Sequence, residues 1–405
     1  DMAMKRITGS FNFVNPGSIT HPEILDLYTQ YVDPDYTYKV IDHEEEKTYV
    51  KAGRSNIVMN ASKLTQLYPH IKPIKESIIH LFQQKQVHEP KNLLVTGGCG
   101  FIGSHFINYI HDKYPNIFVV NVDKLDYCSN TDNVLNQSPD KYEFYHLDLS
   151  KGWETLLTIL TVHNIDTVIH FAAQSHVSNS FGNSLQFTQD NILGTHMLLE
   201  ASCMYGKLTR FIHVSTDEVY GQVIDNKSKH EQGTLDPTNP YSASKAGAEF
   251  MVKAYAKSFK LPIIITRGNN VYGPRQYPEK LIPRFIQLLQ ENKKMTIEGS
   301  GQQQRTFVYI DDVCRAFDLI TRCGVLGEIY NIGSTHEYTV LDIAQILCRL
   351  IKGDDVDYND WIIPVADRNF NDFRYFINSD KLEELGWNPN IKLEEGLKLI
   401  LGKID

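Results

Sequence analysis

Cysteine is sparse and scattered in this chain, six among 405 residues: Cys99, Cys128, Cys203, Cys314, Cys323 and Cys348. No two form a CxxC pair and none shows zinc spacing, so the sequence predicts no disulfide framework and no structural metal site. Reduced thiols, and with them a reducing, cytoplasmic compartment, are expected. His170, His176 and His213 lie in or beside apolar runs without ligand spacing, which favours core or turn roles over metal ligation. Long hydrophobic runs are missing too: none approaches the ~18 residues of a membrane helix. The opening Asp1-Met2-Ala3-Met4-Lys5 has no apolar h-region and reads as an arbitrary cut. There is no excess of positive charge. Lys and Arg number 40 against 49 Asp and Glu, giving a net charge of −9 and a pI near 5.9. That balance argues against a nucleic-acid coat or a binder of anionic membranes. Internal repeats and low-complexity tracts are absent. What remains is ordinary globular composition, 42% hydrophobic and 22% charged, enough for two or three folded units.

Three stretches differ in character. Residues 1–88 carry no glycine-rich loop and no evident catalytic cluster. Within them Pro73 to Phe82 reads as an amphipathic helix opening at a proline. A polar connector, Gln83 to Lys91, sets the first boundary. Short apolar runs then follow one another, around Leu93–Val95, Phe118–Asp123, Phe144–Asp148, Thr167–Ala173, Phe211–Ser215 and Ile263–Arg267. Each is followed by a segment of helical length. Alternation of this kind predicts an α/β fold, a doubly wound parallel sheet covered on both faces, over 91–269. From about Asn270 the alternation weakens, and 270–405 is expected to form a smaller mixed region that caps the sheet and binds substrate.

The first run ends in Thr96-Gly97-Gly98-Cys99-Gly100-Phe101-Ile102-Gly103. Gly97, Gly100 and Gly103, three apart, suit a turn that brings amide N–H groups and a helix N-terminus to a pyrophosphate. An ordinary glycine turn would look the same. The next run ends in Asp123, about 20 residues on, where an acid accepts from ribose hydroxyls and repels a 2′-phosphate. This favours NAD over NADP, with Lys124 next door the one contrary sign. Asp148 and Leu149 end the third run and suit a place beside adenine or a plain strand-end turn.

Farther on, Asn239 can cap and Pro240 can open a helix that puts Tyr241 and Lys245 on one face. A nearby ammonium is expected to lower the phenol's pKa, fitting Tyr241 to take a proton from a sugar hydroxyl. A surface YxxxK pair is the plain alternative. Another run ends in Ser215-Thr216-Asp217-Glu218. Thr216 can supply a hydroxyl beside the tyrosine. Asp217 and Glu218 are surplus to simple oxidation, unless one proton must leave carbon while another reaches a leaving group. A solvated acidic loop is the alternative.

Taken together, TGGCGFIGSH, DKLDYCSN, HFAAQSHV, STDEVYG, NPYSASKAGAE, RGNNVYGPRQYPEKLIPRFI, GQQQRTFVYIDDV, EIYNIG, DRNFNDFRYF and LGWNP resemble the nucleoside-diphosphate-glucose 4,6-dehydratases of the extended short-chain dehydrogenase/reductase family. The resemblance covers about 91–405. It implies a Rossmann fold, a tightly held NAD and lyase chemistry. Tyr241 would be the base for the C4 hydroxyl, Lys245 its partner, Thr216 a hydrogen-bonding aid, Asp217 the acid for the departing C6 hydroxyl and Glu218 the base at C5. It further implies cofactor contacts from the glycine loop with Phe101 and Ile102, and from Ala172 and Ala173. Substrate contacts are implied at Asn270, Glu279, Lys280, Arg305, Asp367 and Arg368, and a homodimer through two long helices. Asp217 is expected to sit where its pKa is raised. Phe370-Asn371-Asp372 looks more like plant rhamnose synthases, which use UDP-glucose, than bacterial enzymes that use dTDP-glucose. Ser178 departs from an acid common in the family.

Gly9 to Gly17, and Arg54-Ser55-Asn56 through Leu64, resemble the tail of the epimerase/reductase that acts next on the route to rhamnose. That implies a fusion with the reductase first, or an unrelated N-terminal extension in its place. The rival readings of the rest are a UDP-sugar 4-epimerase or decarboxylase and a catalytically silent NAD-binding scaffold. An epimerase or decarboxylase does not need both Asp217 and Glu218, and the joint presence of Thr216, Tyr241 and Lys245 argues against a silent scaffold.

Overall fold

A computed structural model describes residues 14–32, 36–40, 45, 59–84, 87–223, 227–367 and 371–403. The chain separates into two compact units, Asp1–His88 and Glu89–Asp405.

In the first unit, Thr20 caps the helix His21–Tyr31 through a reciprocal pair of bonds with Glu23, and Pro22 fits its first turn. The expected amphipathic helix spans Ile74–Gln84, one residue past Pro73. Its start is held by Asn15, whose side-chain amide donates to the Lys72 carbonyl and to Ser77 Oγ, both at 3.0 Å. Tyr28 meets Phe82 edge to face, with ring centroids 5.7 Å apart. Of the two stretches likened to an epimerase/reductase tail, residues 9–13 and 54–58 lie outside the described residues.

Among its described residues the second unit holds twelve strands: β1 (Asn92–Thr96), β2 (Phe118–Asp123), β3 (Tyr142–His146), β4 (Thr167–His170), β5 (Arg210–Thr216), β6 (Ile263–Gly268), β7 (Asn270–Tyr272), β8 (Met295–Glu298), β9 (Gln304–Tyr309), β10 (Ile329–Ile332), β11 (Glu337–Thr339) and β12 (Ile362–Val365). Seven form one parallel sheet in the order β10-β6-β5-β4-β1-β2-β3. The strands are near-continuous apolar runs because helices cover both faces, and two separate apolar clusters flank the sheet. The chain winds outward from β1 to β3, then returns to lay β4 on the other side of β1. Loops leaving β1 and β4 therefore part in opposite directions, and a crevice opens at their carboxyl ends.

The remaining strands make a three-stranded sheet, β11-β9-β7, and a parallel pair, β12-β8. The expected division at Asn270 is not where the sheets divide. Ile329–Ile332 lies beyond it, yet β10 pairs with β6 and completes the large sheet. The four residues Ile329–Ile332 are too short a run to show the strand-helix alternation. In the other direction, the excursion after β5 crosses to the far end of the chain, with Val223 N donating to the Arg374 carbonyl at 3.0 Å.

The long helix Pro240–Phe259 is pinned to β6 by a buried ion pair. Arg267 donates to both carboxylate oxygens of Glu249, at 3.0 and 2.6 Å, and to Tyr220 at 2.7 Å. Both charged side chains are within 1% of full burial. Glu249→Ala would strand a buried guanidinium and is expected to lower unfolding free energy by about 3–5 kcal/mol. Lys253→Ala, at the same Glu249 but part-exposed, should cost under about 1 kcal/mol in the same denaturant titration.

Candidate functional site

The crevice begins at the loop after β1. Gly97 has φ +72°, and a side chain there would meet the Ala172 backbone at 2.7 Å. At Gly103 a Cβ would stand 2.4 Å from the Gly97 carbonyl, so the helix Phe101–Lys113 packs tightly under the loop. Asp123, at the end of β2, is 5% exposed and accepts from the Cys99 and Leu125 amides at 3.0 and 2.8 Å. It therefore holds the loop while still bordering the cavity. Lys124 is committed elsewhere: its ammonium pairs with Asp190 at 2.5 Å and Asp126 at 3.2 Å. Two carboxylates thus neutralise the ammonium next to Asp123. Phe101, Ile102, Leu149, Ala172 and Ala173 line the same cavity. Asp148 lines it too, and turns back to accept from the Ser150 amide at 3.0 Å, as a strand-end turn residue does. A tight glycine turn, a helix N-terminus and an acid at the next strand end fit an adenine dinucleotide without a 2′-phosphate.

The end of β5 faces this cradle. Thr216 closes the strand, and its hydroxyl oxygen accepts from the Glu218 amide at 3.3 Å, folding Asp217–Tyr220 into a single tight turn. Asp217 is 4% exposed. It accepts from Asn269 Nδ2 at 2.6 Å and from Thr216 Oγ1 at 3.2 Å. Burial, then the neighbouring Glu218 charge, push its pKa up to about 7. Glu218 is also raised by burial, while the Asn239 amide opposes the rise. Asn239 serves twice. Its oxygen caps the Pro240–Phe259 helix by accepting from Ser242 N at 2.9 Å, and its amide donates to Glu218 Oε2 at 3.2 Å. The cap therefore fixes the acid pair against the first turn of the helix.

That turn carries Tyr241, and Lys245 follows one turn on; both are buried. Contrary to the expected lowering, the Tyr241 phenol stands well above its ordinary range. Burial is the main cause and the Glu218 charge the next, with the Thr216 hydrogen bond opposing them. The ammonium does not offset this, because Lys245 Nζ donates to the Val214 carbonyl at 2.6 Å and is itself lowered by burial to about 8.

The residues predicted to hold substrate divide. Asn270, Glu279 and Lys280 line the cavity, whose volume is about 320 Å³. Glu279 accepts from Tyr127 OH at 2.7 Å, and Lys280 Nζ donates to the Ser175 carbonyl at 2.7 Å. Arg305 stands behind the acids. Its guanidinium donates to the carbonyls of Gln304 and Asp372, both at 2.8 Å, and stacks on Tyr375 at 4.8 Å. Its charge lowers both Asp217 and Glu218. Asp367 is exposed and accepts from Asn371 at 3.0 Å; Arg368 and Phe370 lie outside the described residues. Ser178 is exposed and borders a second, polar cavity. Among the described residues no group of three or more His, Cys, Asp or Glu could hold a metal, and no helix is long and apolar enough to cross a membrane.

Sequence reasoning passed over several contacts. Asn269, not its neighbour Asn270, holds Asp217, although both stand in the quoted RGNN stretch. Asn121 accepts from the Gly98 amide at 3.0 Å, and a Cβ on Gly98 would collide with that side chain. Tyr375 and Asp372 stand in the quoted DRNFNDFRYF stretch, but 157 and 154 positions beyond Glu218 nothing local ties them to that acid.

A family model described as GDP-mannose 4,6 dehydratase matches residues 94–400. The trifunctional UDP-glucose 4,6-dehydratase/3,5-epimerase/reductase of Arabidopsis thaliana is 48% identical over 314 residues, 77% of this chain and 47% of that one. The chain spans about half the length of such plant relatives. Human dTDP-D-glucose 4,6-dehydratase is 46% identical over 311 residues, covering 76% of this chain and 88% of that one. The Streptomyces venezuelae dTDP-glucose 4,6-dehydratase, solved with NAD bound, superposes with a TM-score of 0.72 at 38% identity, covering 77% and 96% of the two chains. A UDP-glucose 4-epimerase from Thermotoga maritima gives 0.69 at 31%, covering 77% and 98%.

Asp217 binds its proton more tightly folded than unfolded, so between about pH 4 and 7 the folded state carries the extra proton and stability falls as pH rises. Asp217→Asn removes that loss. It is expected to raise the thermal midpoint at pH 8, with the gain shrinking to nothing by pH 4.

Proposed function

The chain belongs to the GDP-mannose 4,6-dehydratase family of NAD-binding Rossmann proteins, and on that footing we propose that its second unit is a hydro-lyase acting on a nucleoside-diphosphate glucose. The product is the 4-keto-6-deoxy sugar nucleotide, an intermediate toward rhamnose or another deoxysugar. The observation that carries this reading is the pair Asp217 and Glu218, two adjacent carboxyls held toward their protonated forms beside Tyr241 in one cavity. Epimerisation has no use for them.

The residues divide the proton transfers. Tyr241, oriented by Thr216, takes the C4 hydroxyl proton as that carbon becomes a ketone. Lys245 holds its place through Val214. The glycine loop, Asp123, Ala172 and Ala173 would hold NAD, which when bound would supply a hydride acceptor at C4, a hydride donor at C6 and a positive ring charge near Tyr241. The ketone acidifies C5. Glu218 removes the C5 proton, the C5–H electrons form the C5–C6 double bond, and the C6–O bond breaks. Asp217 protonates the leaving oxygen, which departs as water. Glu218 returns a proton to C5 as C6 is reduced. A proton passed from Tyr241 to Asp217 through solvent resets both. An Asp217 pKa near 7 suits a group that gives and regains a proton at neutral pH.

UDP-glucose is the proposed substrate, on the Phe370-Asn371-Asp372 form. Asn270, Glu279, Lys280 and Arg305 are proposed to hold the sugar and diphosphate, with Asp367 and Arg368 toward the nucleotide. A homodimer is proposed through the Pro240–Phe259 helix and its neighbour Gly194–Tyr205. Phe250, Phe259 and Met204 on these helices are 59%, 58% and 60% exposed, an apolar surface that a second copy would cover. The six unpaired thiols support a reducing, cytoplasmic setting. Residues 1–88 are proposed to derive from an epimerase/reductase fused ahead of the dehydratase.

Incubation with UDP-glucose and dTDP-glucose, followed by alkaline absorbance of the 4-keto product, tests the activity. Galactose nucleotide as product would move the assignment to an epimerase, and bound NAD without turnover to a silent scaffold. Glu218→Gln should retain cofactor yet lose at least about 100-fold in product formation, stalling after the C4 oxidation.

A further inference from the structure

Behind Glu218 lies a second acid that the reaction above does not use. Asp372 is 3% exposed. Its Oδ2 accepts from Thr238 Oγ1 at 2.6 Å and from the Tyr375 hydroxyl, while its Oδ1 is buried without a hydrogen-bond partner among the described residues. Tyr375 is buried too, and its hydroxyl stands 3.4 Å from Glu218 Oε2. One hydroxyl thus stands between two carboxyls, and Asp372 is its nearer acceptor.

We propose that Asp372 and Tyr375 are positioning residues that make Glu218 a stronger base, by withholding the Tyr375 hydrogen from Glu218 and by facing it with a second carboxyl. The proposal rests on reading Glu218 as the proton acceptor at C5. Glu218 Oε2 is turned inward, toward Asn239 and Tyr375. Oε1 has no hydrogen bond among the described residues and is the oxygen left for the substrate proton. If Tyr375 donated to Oε2, it would stabilise the carboxylate and weaken the base. With its hydrogen held by Asp372, it cannot. The other groups bearing on Glu218 are fixed in sign. Asn239, Arg305 and Lys280 favour its ionised form, and Asp372 its protonated form. Asp217 lies beside it, and Tyr241 opens the facing helix. Arg305 also covers the Tyr375 ring. No covalent bond changes in this device; only the direction of one O–H changes as Glu218 gains and loses its proton.

The test is a titration of the full chain by difference infrared spectroscopy, with the Glu218 carboxyl stretch identified by its loss in Glu218→Gln. Asp372→Asn removes the charge and frees the Tyr375 hydrogen, so the Glu218 midpoint should fall by about one pH unit. Tyr375→Phe removes the competing donor and leaves the charge, so the midpoint should stay or rise. The acidic limb of kcat/KM should move in the same two directions. Opposite responses from two neighbours are not what general loosening of the site produces. An unmoved or raised midpoint in Asp372→Asn, or an equal fall in Tyr375→Phe, overturns the proposal. If Asp372→Asn does not fold, Thr238→Val serves: with one donor fewer on Oδ2 the midpoint should rise, and a flat response is fatal. The infrared reading needs no turnover. A wild-type chain inert toward both glucose nucleotides would therefore sink the dehydratase reading while leaving the Glu218 titration to decide the pair.

Discussion

Two carboxyl groups on consecutive residues, taken out of water at the end of one strand, cannot both ionise without cost. That constraint organises the second unit. β5 is an interior strand, so its carboxyl end opens into the crevice and not onto the surface. Thr216 folds the next four residues into a tight turn, which keeps both acids within the cavity. The neighbours then separate them. Asp217 receives a short amide bond from Asn269 but feels both burial and the Glu218 charge. Glu218 lies under Asn239, Arg305 and Lys280, which together oppose its protonation. Burial raises both acids, Asp217 with its neighbour's charge added and Glu218 against one amide and two cations, so the pair meets different surroundings, as distinct acid and base roles require.

The scaffold keeps that arrangement rigid by means with no part in proton transfer. The buried Arg267–Glu249 pair locks the middle of the Pro240–Phe259 helix to β6. The Asn239 cap locks the helix start to Glu218. Tyr241 lies between those two anchors and has little freedom to move. Close glycine packing does the same for the other wall, since side chains at Gly97 or Gly103 would push the loop off the sheet. Positions set on strands and on a doubly anchored helix hold geometry better than positions on free loops.

Much of this was legible from residue pattern. Apolar runs separated by helical lengths gave the parallel sheet, because a sheet covered on both faces needs apolar residues on both sides of each strand. The glycine spacing, Asp123, Thr216-Asp217-Glu218 and Tyr241 with Lys245 all border one cavity. Local spacing could reveal them because each motif sits at the end of its own strand or the start of its own helix. What escaped was of two kinds. β10 is four residues long, and a run so short carries no periodicity. Contacts across long separations, Asn269 to Asp217 and Tyr375 to Glu218, depend on which strands become neighbours, and that is a property of the topology.

The Tyr241–Lys245 spacing shows where one-dimensional reasoning stops. Four residues apart on a helix places two side chains on one face, and an ammonium near a phenol lowers its pKa if nothing else intervenes. Here two things intervene. The Val214 carbonyl engages the ammonium, and burial raises the phenol while lowering the lysine. Glu218 adds a negative charge on the same side. The protein alone therefore keeps Tyr241 protonated, and a tyrosine in that state cannot take a proton from a hydroxyl. Activation of the base must come with a positive charge brought into the cavity. In the proposed reaction the carboxylate assigned to the C5 proton, Glu218, adds to burial in keeping Tyr241 protonated until that charge arrives.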